Sequence, residues 1–486
     1  MLLMPAARKA MPNHSFDLVV IGGGPAGISG ANTAGIFGKR VALVEKFHDV
    51  GGAGINTGTI PSKTLRETAL ALSGMRSRKL FGVDLSLRRE ATVRDFMRHK
   101  DNVAAHERRR REEQMRTYNV ETFHGAASFV DPNTIRVAPD TLLHGEKILI
   151  ATGSSPVRPP EFPFEHPRVH DSDEILEIGV LPKTLAVVGA GVVGAEYAGT
   201  FNALGVEVHL IDGRDSLLGF LDHEISANIE RAMAAAGVHF IWKEKVTRCD
   251  APPTGDVTLT LSSGATLAVS DVLVAAGRQS NTADLNLAAA GLTPGKRGLI
   301  NVDTYCRTEV PHIFAAGDVI GPPALAATGM EQARLAICVA FEFDRKDVVA
   351  PILPTGIYTI PEASMAGETE ESLKTKGIGY VVGRARYADN PRGQIIGDES
   401  GLLKLIFRQD DMRLLGVHVV GEQATELIHI GLIAMMAEAN ADLFNRTCFN
   451  YPTLGDLYKY ATYAAMLKRD GLVVDDSGQL PTRTVS

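Results

Sequence analysis

Residues 16–46 read FDLVVIGGGPAGISGANTAGIFGKRVALVEK, and the order of their parts decides the fold. The apolar run FDLVVI predicts a strand, the glycines after it a tight turn, and ISGANTAGIFG a helix. KRVALVEK then predicts a second strand. Inside the turn stands Gly22-x-Gly24-x-x-Gly27. Gly22 permits the sharp turn, Gly24 lets the backbone approach a pyrophosphate, and Gly27 lets helix and strand pack closely. Free N–H groups and the helix dipole favour an anion at that helix start. Glu45 ends the second strand 21 residues beyond Gly24, where a carboxylate can take both hydroxyls of a ribose. The whole predicts a dinucleotide-binding βαβ unit.

The pattern recurs at KTLAVVGAGVVGAEYAGTF, with Gly189-x-Gly191-x-x-Gly194, and VEVHLID ends at Asp212, again 21 residues past the middle glycine. Two unrelated glycine turns would not place both acids in register. Two dinucleotide sites in one chain imply electron transfer between two dinucleotide cofactors. Beyond Asp212, IDGRDS puts Arg214 two residues on, able to swing onto a ribose 2'-phosphate that Asp212 would repel. Gly213 between them gives the loop freedom to present one or the other.

At 486 residues the chain predicts three domains, and 45% hydrophobic with 22% charged residues is the composition of a globular protein. A net charge of -7 supplies no basic field for nucleic acid or an anionic membrane, so small molecules are the expected partners. No apolar run reaches the roughly 18 residues of a membrane span, and MLLMPAARKAM lacks the core of a signal peptide; a cytoplasmic location is the expectation. Cys249, Cys306, Cys338 and Cys448 are too widely spaced for a disulfide scaffold or a metal site. The run HERRRREEQMR reads as the wet face of a helix, with Arg108 answered by Glu112 and Arg109 by Glu113.

These markers resemble the FAD and NAD(P) segments of the pyridine nucleotide-disulfide oxidoreductases. KILIATGSSP (147–156) is similar to the crossover between their domains, AAGRQSNT (275–282) to the return, and HIFAAGDV (312–319) to the segment whose aspartate, Asp318, binds the ribityl chain of FAD. The resemblance implies an α/β fold of two Rossmann-like domains plus a C-terminal α+β dimerisation domain. Its expected bounds are 11–157 with 285–348 for FAD, 158–284 for NAD(P), 349–470 for dimerisation and 471–486 for a tail. In the last domain, GLLKLIF and LLGVHVVG read as strands, ATELIHIGLIAMMAEA and TLGDLYKYATYAAMLK as apolar-faced helices.

The resemblance further implies that Lys46, Gly51, Gly52, Gly54 and Thr59 lie along FAD, with Ala126, Thr152, Gly153 and Ala326 completing that site. Gly277 belongs to the NAD(P) side. GTIPSK (58–63), GEQATELIHIG (421–431) and FNYPT (449–453) resemble the soluble, Si-specific NAD(P) transhydrogenases more than the dithiol enzymes. The cysteine pair of those enzymes maps to Gly54 and Thr59, neither of which can form a thiolate. Their histidine base maps to Tyr451, whose phenol, with an ordinary pKa of about 10, is a poor base at neutral pH. The acid that orients that base maps to Asp456. In relatives the positions of Lys63 and Glu196 form an ion pair beside flavin N5, where a cation favours negative charge on the flavin. A homodimer or larger homo-oligomer is implied, with the segment around Tyr451 and Asp456 closing the partner's site. The implied activity is ping-pong hydride transfer from NADPH to NAD+ through FAD. An NAD(P)H:quinone reductase or diaphorase, and a non-catalytic redox-responsive flavoprotein, stay open as alternatives.

Overall fold

The computed structural model describes residues 14–73 and 93–472. The expected start of the first domain at residue 11, and the tail beyond Leu472, lie outside them. The chain divides into two compact units, one of residues up to Ser62, Lys100–Val157 and Arg278–Pro351, the other of Lys63–His99, Arg158–Gly277 and the chain from Ile352. After the stretch Arg158–Gly277 the chain re-enters the first unit at Arg278.

In the first unit the strands Val120–His124, Val41–Glu45, His14–Ile21 and Thr141–Ile150 run parallel in that order, and Ile313–Ala315 adds to Thr141–Ile150. Every residue of Val41–Glu45 is buried, which is why VALVE is apolar without alternation: a parallel interior strand is covered on both faces. The helix Pro25–Ile36 follows the first strand directly, with Pro25 in its first turn, where a missing N–H costs nothing. An antiparallel ribbon, Ala127–Asp131 with Thr134–Val137, extends the sheet.

The long helix Val93–Thr117 corrects one expectation. Arg108 does not pair with Glu112; it donates to Asn56 Oδ1 at 3.1 Å and faces Asp49 Oδ2 at 3.5 Å, while Glu112 meets Arg116 at 3.9 Å. Glu107 takes Arg110 at 3.3 Å and Arg111 at 3.5 Å. A polar loop packed against the helix outcompetes a solvated i,i+4 acid, whose attraction is only a few tenths of a kcal/mol.

The second unit carries its own parallel sheet, in the order His239–Trp242, Glu207–Asp212, Thr184–Val188, Asp271–Val274, Val169–Asp171. From residue 352 a five-stranded antiparallel sheet forms, with GLLKLIF becoming Leu402–Arg408 and LLGVHVVG becoming Leu414–Val420. The helix Leu457–Arg469 packs on Tyr380–Arg386 and Leu402–Arg408, and the helix Ala424–Met436 on Leu414–Val420. Gly383 makes the first contact possible: a Cβ there would lie 1.8 Å from the carbonyl oxygen of Ala461. The expected class, two Rossmann-like units and a C-terminal α+β domain, is the one observed.

Among the described residues no helix is long and apolar enough to cross a membrane, and no cluster of side chains could hold a metal.

Candidate functional site

The two glycine turns are near copies. Gly22 and Gly189 have φ of +107° and +110°, and a Cβ at Gly27 or Gly194 would sit 1.8 Å from the oxygen of Gly22 or Gly189. Only glycine serves at these positions. Gly24 and Gly191 stand at the N-caps of the helices Pro25–Ile36 and Val192–Ala203 with no side chain capping the free amides. Among the described residues nothing lies within 4 Å of a Cβ at Gly191, chain neighbours aside, and at Gly24 only Gly52 does, at 3.8 Å. Uncapped N–H groups beside open space suit an anionic pyrophosphate.

The acids match as well, until their surroundings part. Glu45 Oε2 accepts from Gly23 N at 2.8 Å and Oε1 from Phe47 N at 3.0 Å. Asp212 Oδ2 accepts from Ala190 N at 2.7 Å and Oδ1 from Arg214 N at 2.8 Å. Arg214 then adds its side chain, Nε to Oδ1 at 2.9 Å and Nη2 to Oδ2 at 2.7 Å. Burial pushes the Asp212 carboxyl up, but Arg214 and the two backbone amides outweigh it and bring the pKa down to about 2. Glu45 has a phenylalanine where Asp212 has this arginine, and Lys46 lies over that ring, its Nζ 4.8 Å from the centroid.

Around the first turn, Gly51 and Gly52 take φ of +118° and +52°, and Gly51 N donates to Gly23 O at 2.7 Å, so the 51–52 corner lies against the fingerprint. Gly54 follows in the short helix Gly52–Ile55, and Thr59 opens the helix Thr59–Ser73 as an exposed residue. A Cβ at Gly54 would be 2.4 Å from Pro25 Cγ. Gly153 O and Thr152 O are both held by Asn281. The Thr152 hydroxyl is buried with no partner among the described residues. Asp318 opens a short turn and accepts from Ser154 Oγ at 2.7 Å; Arg278 donates to the same Ser154 Oγ at 2.8 Å. Ala326 starts the helix Ala326–Ala340, Ala126 is exposed beside the antiparallel ribbon, and Gly277 has φ +102° and open space around it. Ser154 and Arg278 sit inside the crossover segments without having been singled out, because their role is a contact 124 residues apart in sequence.

In the second unit Lys63 and Glu196 meet: Lys63 Nζ donates to Glu196 Oε2 at 2.5 Å, with the carboxylate side chain only 9% exposed. Tyr451 behaves differently. It is 71% exposed, and among the described residues its hydroxyl makes no hydrogen bond, to Asp456 or otherwise. Asp456 is buried at the start of the helix Leu457–Arg469.

Residues 16–336 match the family model "Pyridine nucleotide-disulphide oxidoreductase", and residues 353–462 match the dimerisation domain of the same name. The chain belongs to the pyridine nucleotide-disulphide oxidoreductases. Among proteins of this family, a soluble pyridine nucleotide transhydrogenase of Mycobacterium bovis is 43% identical over 464 residues, 94% of this chain and 99% of that protein. One from Colwellia psychrerythraea is 40% identical over 457 residues, 92% and 97% of the two chains. A solved structure, the HOCl-induced flavoprotein disulfide reductase of Escherichia coli, superposes with a TM-score of 0.83 at 28% identity, covering 93% of this chain and 99% of its own. The first unit has features that fit the FAD this family implies: an uncapped helix start at Gly24, a carboxylate at the end of the second strand in Glu45 and, at Thr152, a buried hydroxyl with no partner among the described residues.

Proposed function

We propose that the chain is a soluble, Si-specific NAD(P) transhydrogenase that passes hydride reversibly between NADPH and NAD+. The observation that carries this reading is the double fingerprint with no sulfur at Gly54 or Thr59, in a chain 43% identical to proteins of that name. FAD, when bound, supplies a centre that takes hydride from one nicotinamide and returns it to another. The chain's residues supply the rest. Gly22, Gly24 and Gly27 with Glu45 seat one dinucleotide, and Gly189, Gly191 and Gly194 with Asp212 seat the other.

Lys63 is held by Glu196, and the family resemblance gives its ammonium the task of favouring the charge that hydride arrival creates on the flavin. Neither flavin-side position supplies a thiol, and three of the four cysteines are buried, which pushes Cys249 up to about 11 and Cys306 up to about 12 and raises Cys338. A nicotinamide is then the acceptor that matches the site. Cys448 is exposed, so alkylating the native protein tests this directly. NADPH-to-NAD+ transfer should persist with parallel-line initial-velocity kinetics; loss of transfer on alkylation would refute a thiol-free route.

The working form is a homodimer in the cytoplasm. The dimerisation-domain match supports the first part, as do exposed apolar groups on that domain, Ile433 at 66% and Tyr460 at 53%. Exposure of Tyr451 in a single chain supports a place for it against a second copy.

A further inference from the structure

The Lys63–Glu196 pair has a third neighbour, Tyr358, which touches both members. Its backbone N–H donates to Glu196 Oε1 at 2.9 Å, so the two carboxylate oxygens are divided between Tyr358 and Lys63. Its ring lies under the ammonium, with Lys63 Nζ 5.0 Å from the centroid. A cation over a tyrosine face is attracted by the ring's quadrupole, more strongly where water is partly excluded, and the Lys63 side chain is only 25% exposed.

Tyr358 is itself fixed from two sides. Arg66, one turn beyond Lys63 on the same helix and 4% exposed, donates Nε to Thr359 O at 3.1 Å and faces Glu362 Oε2 at 3.5 Å. On the other side Gly199, one turn beyond Glu196, lets its helix close on the loop: a Cβ there would meet Ile360 N at 3.3 Å. The helix that carries Lys63 and the helix that carries Glu196 therefore both grip the segment 358–362.

We infer that Tyr358 is a positioning residue for the Lys63 ammonium, with its ring and its amide holding cation and carboxylate in one orientation and Arg66 anchoring the segment. The ring restricts where Nζ can point once the carboxylate has taken one of its hydrogens. A lysine has four rotatable bonds, and without the ring the charge would wander over the space those bonds allow. The inference rests on the reading that Lys63 acts on the bound flavin.

The test uses flavin-loaded protein and two readouts, the rate of flavin reduction by NADPH and the midpoint potential of the bound flavin. Tyr358→Leu removes the ring but keeps the N–H to Glu196; Tyr358→Phe keeps both. Tyr358→Leu should slow reduction by about three- to tenfold and shift the potential in the same direction as Lys63→Met, while Tyr358→Phe restores both. In a Lys63→Met background, adding Tyr358→Leu should change neither readout further, because the ring then has no cation to hold. Additive effects, or a Tyr358→Leu protein indistinguishable from the unaltered one while Lys63→Met is impaired, would overturn the inference and leave the role of Lys63 standing. An unimpaired Lys63→Met protein would overturn both.

Discussion

Arg214 grips Asp212 through both carboxylate oxygens, at 2.9 and 2.7 Å, so the acid that would repel a 2'-phosphate already carries its counter-charge. The sequence alone suggests two residues taking turns across Gly213. The geometry gives instead one charge-compensated unit whose carboxylate already accepts two hydrogen bonds at each oxygen, so a ribose diol would have to take the places that the Arg214 guanidinium holds.

Removing Arg214 exposes the bare carboxylate. Arg214→Ala should weaken binding of 2'-phospho-ADP-ribose about tenfold and leave ADP-ribose nearly unchanged, both read by calorimetry. Asp212→Ala should do the reverse. Equal shifts for both ligands in either variant would mean that the 2'-phosphate is read elsewhere.

Position 54 explains why a cysteine cannot simply be put back. Since a Cβ there would fall 2.4 Å from the ring of Pro25, Gly54→Ala and Gly54→Cys both force the short helix Gly52–Ile55 apart from the first turn of the helix Pro25–Ile36. Each should lower thermal stability by about 1–3 kcal/mol, the usual cost of overpacking, and reduce FAD retention. A Gly54→Ala protein with unchanged melting temperature and full flavin would contradict the packing argument.

Lys404 is 1% exposed and lies 2.8 Å from Asp222, 3.0 Å from Glu224 and 2.6 Å from Glu370. Burial alone would lower its pKa, but the three carboxylates outweigh it and raise the ammonium above its usual value. Its contribution is present below the ordinary lysine value and lost as pH rises through the raised one. Asp222 is the mirror case: burial raises it, and His418 and Lys404 more than offset that, so its contribution is present above the ordinary carboxylate value and lost as pH falls through the lowered one. Lys404→Met leaves the buried acids without their cation and should cost about 3–5 kcal/mol at neutral pH. In that variant burial acts on the acids without Lys404 to oppose it, so they take up protons more readily and the deficit should shrink as pH falls. Denaturant unfolding across pH checks this, and a deficit independent of pH would contradict it.

What could be read from the sequence is what local chemistry dictates. Gly22, Gly27 and Glu45 announce themselves because a turn, a close contact and a ribose acid each demand a residue type at fixed spacing. The meeting of Lys63 with Glu196 came from resemblance, since the two stand 133 positions apart and nothing local ties them. Arg66 on Thr359 and the ring of Tyr358 under Lys63 left no trace, because a common arginine and a common tyrosine gain meaning only from folding. Arg108 misled for the same reason: a helical neighbour was visible in the sequence, and the loop at Asp49 and Asn56 was not.

The central claim is that hydride enters from one nicotinamide and leaves to another without a thiol between them. Anaerobic stopped-flow mixing of the flavin-loaded protein with NADPH, followed by NAD+ or a quinone at matched concentration, tests it most directly. Flavin absorbance should fall with NADPH, no long-wavelength thiolate-to-flavin band should appear, and recovery should be faster with NAD+ than with the quinone. Faster recovery with the quinone, or no loss of absorbance with either nucleotide, would contradict it.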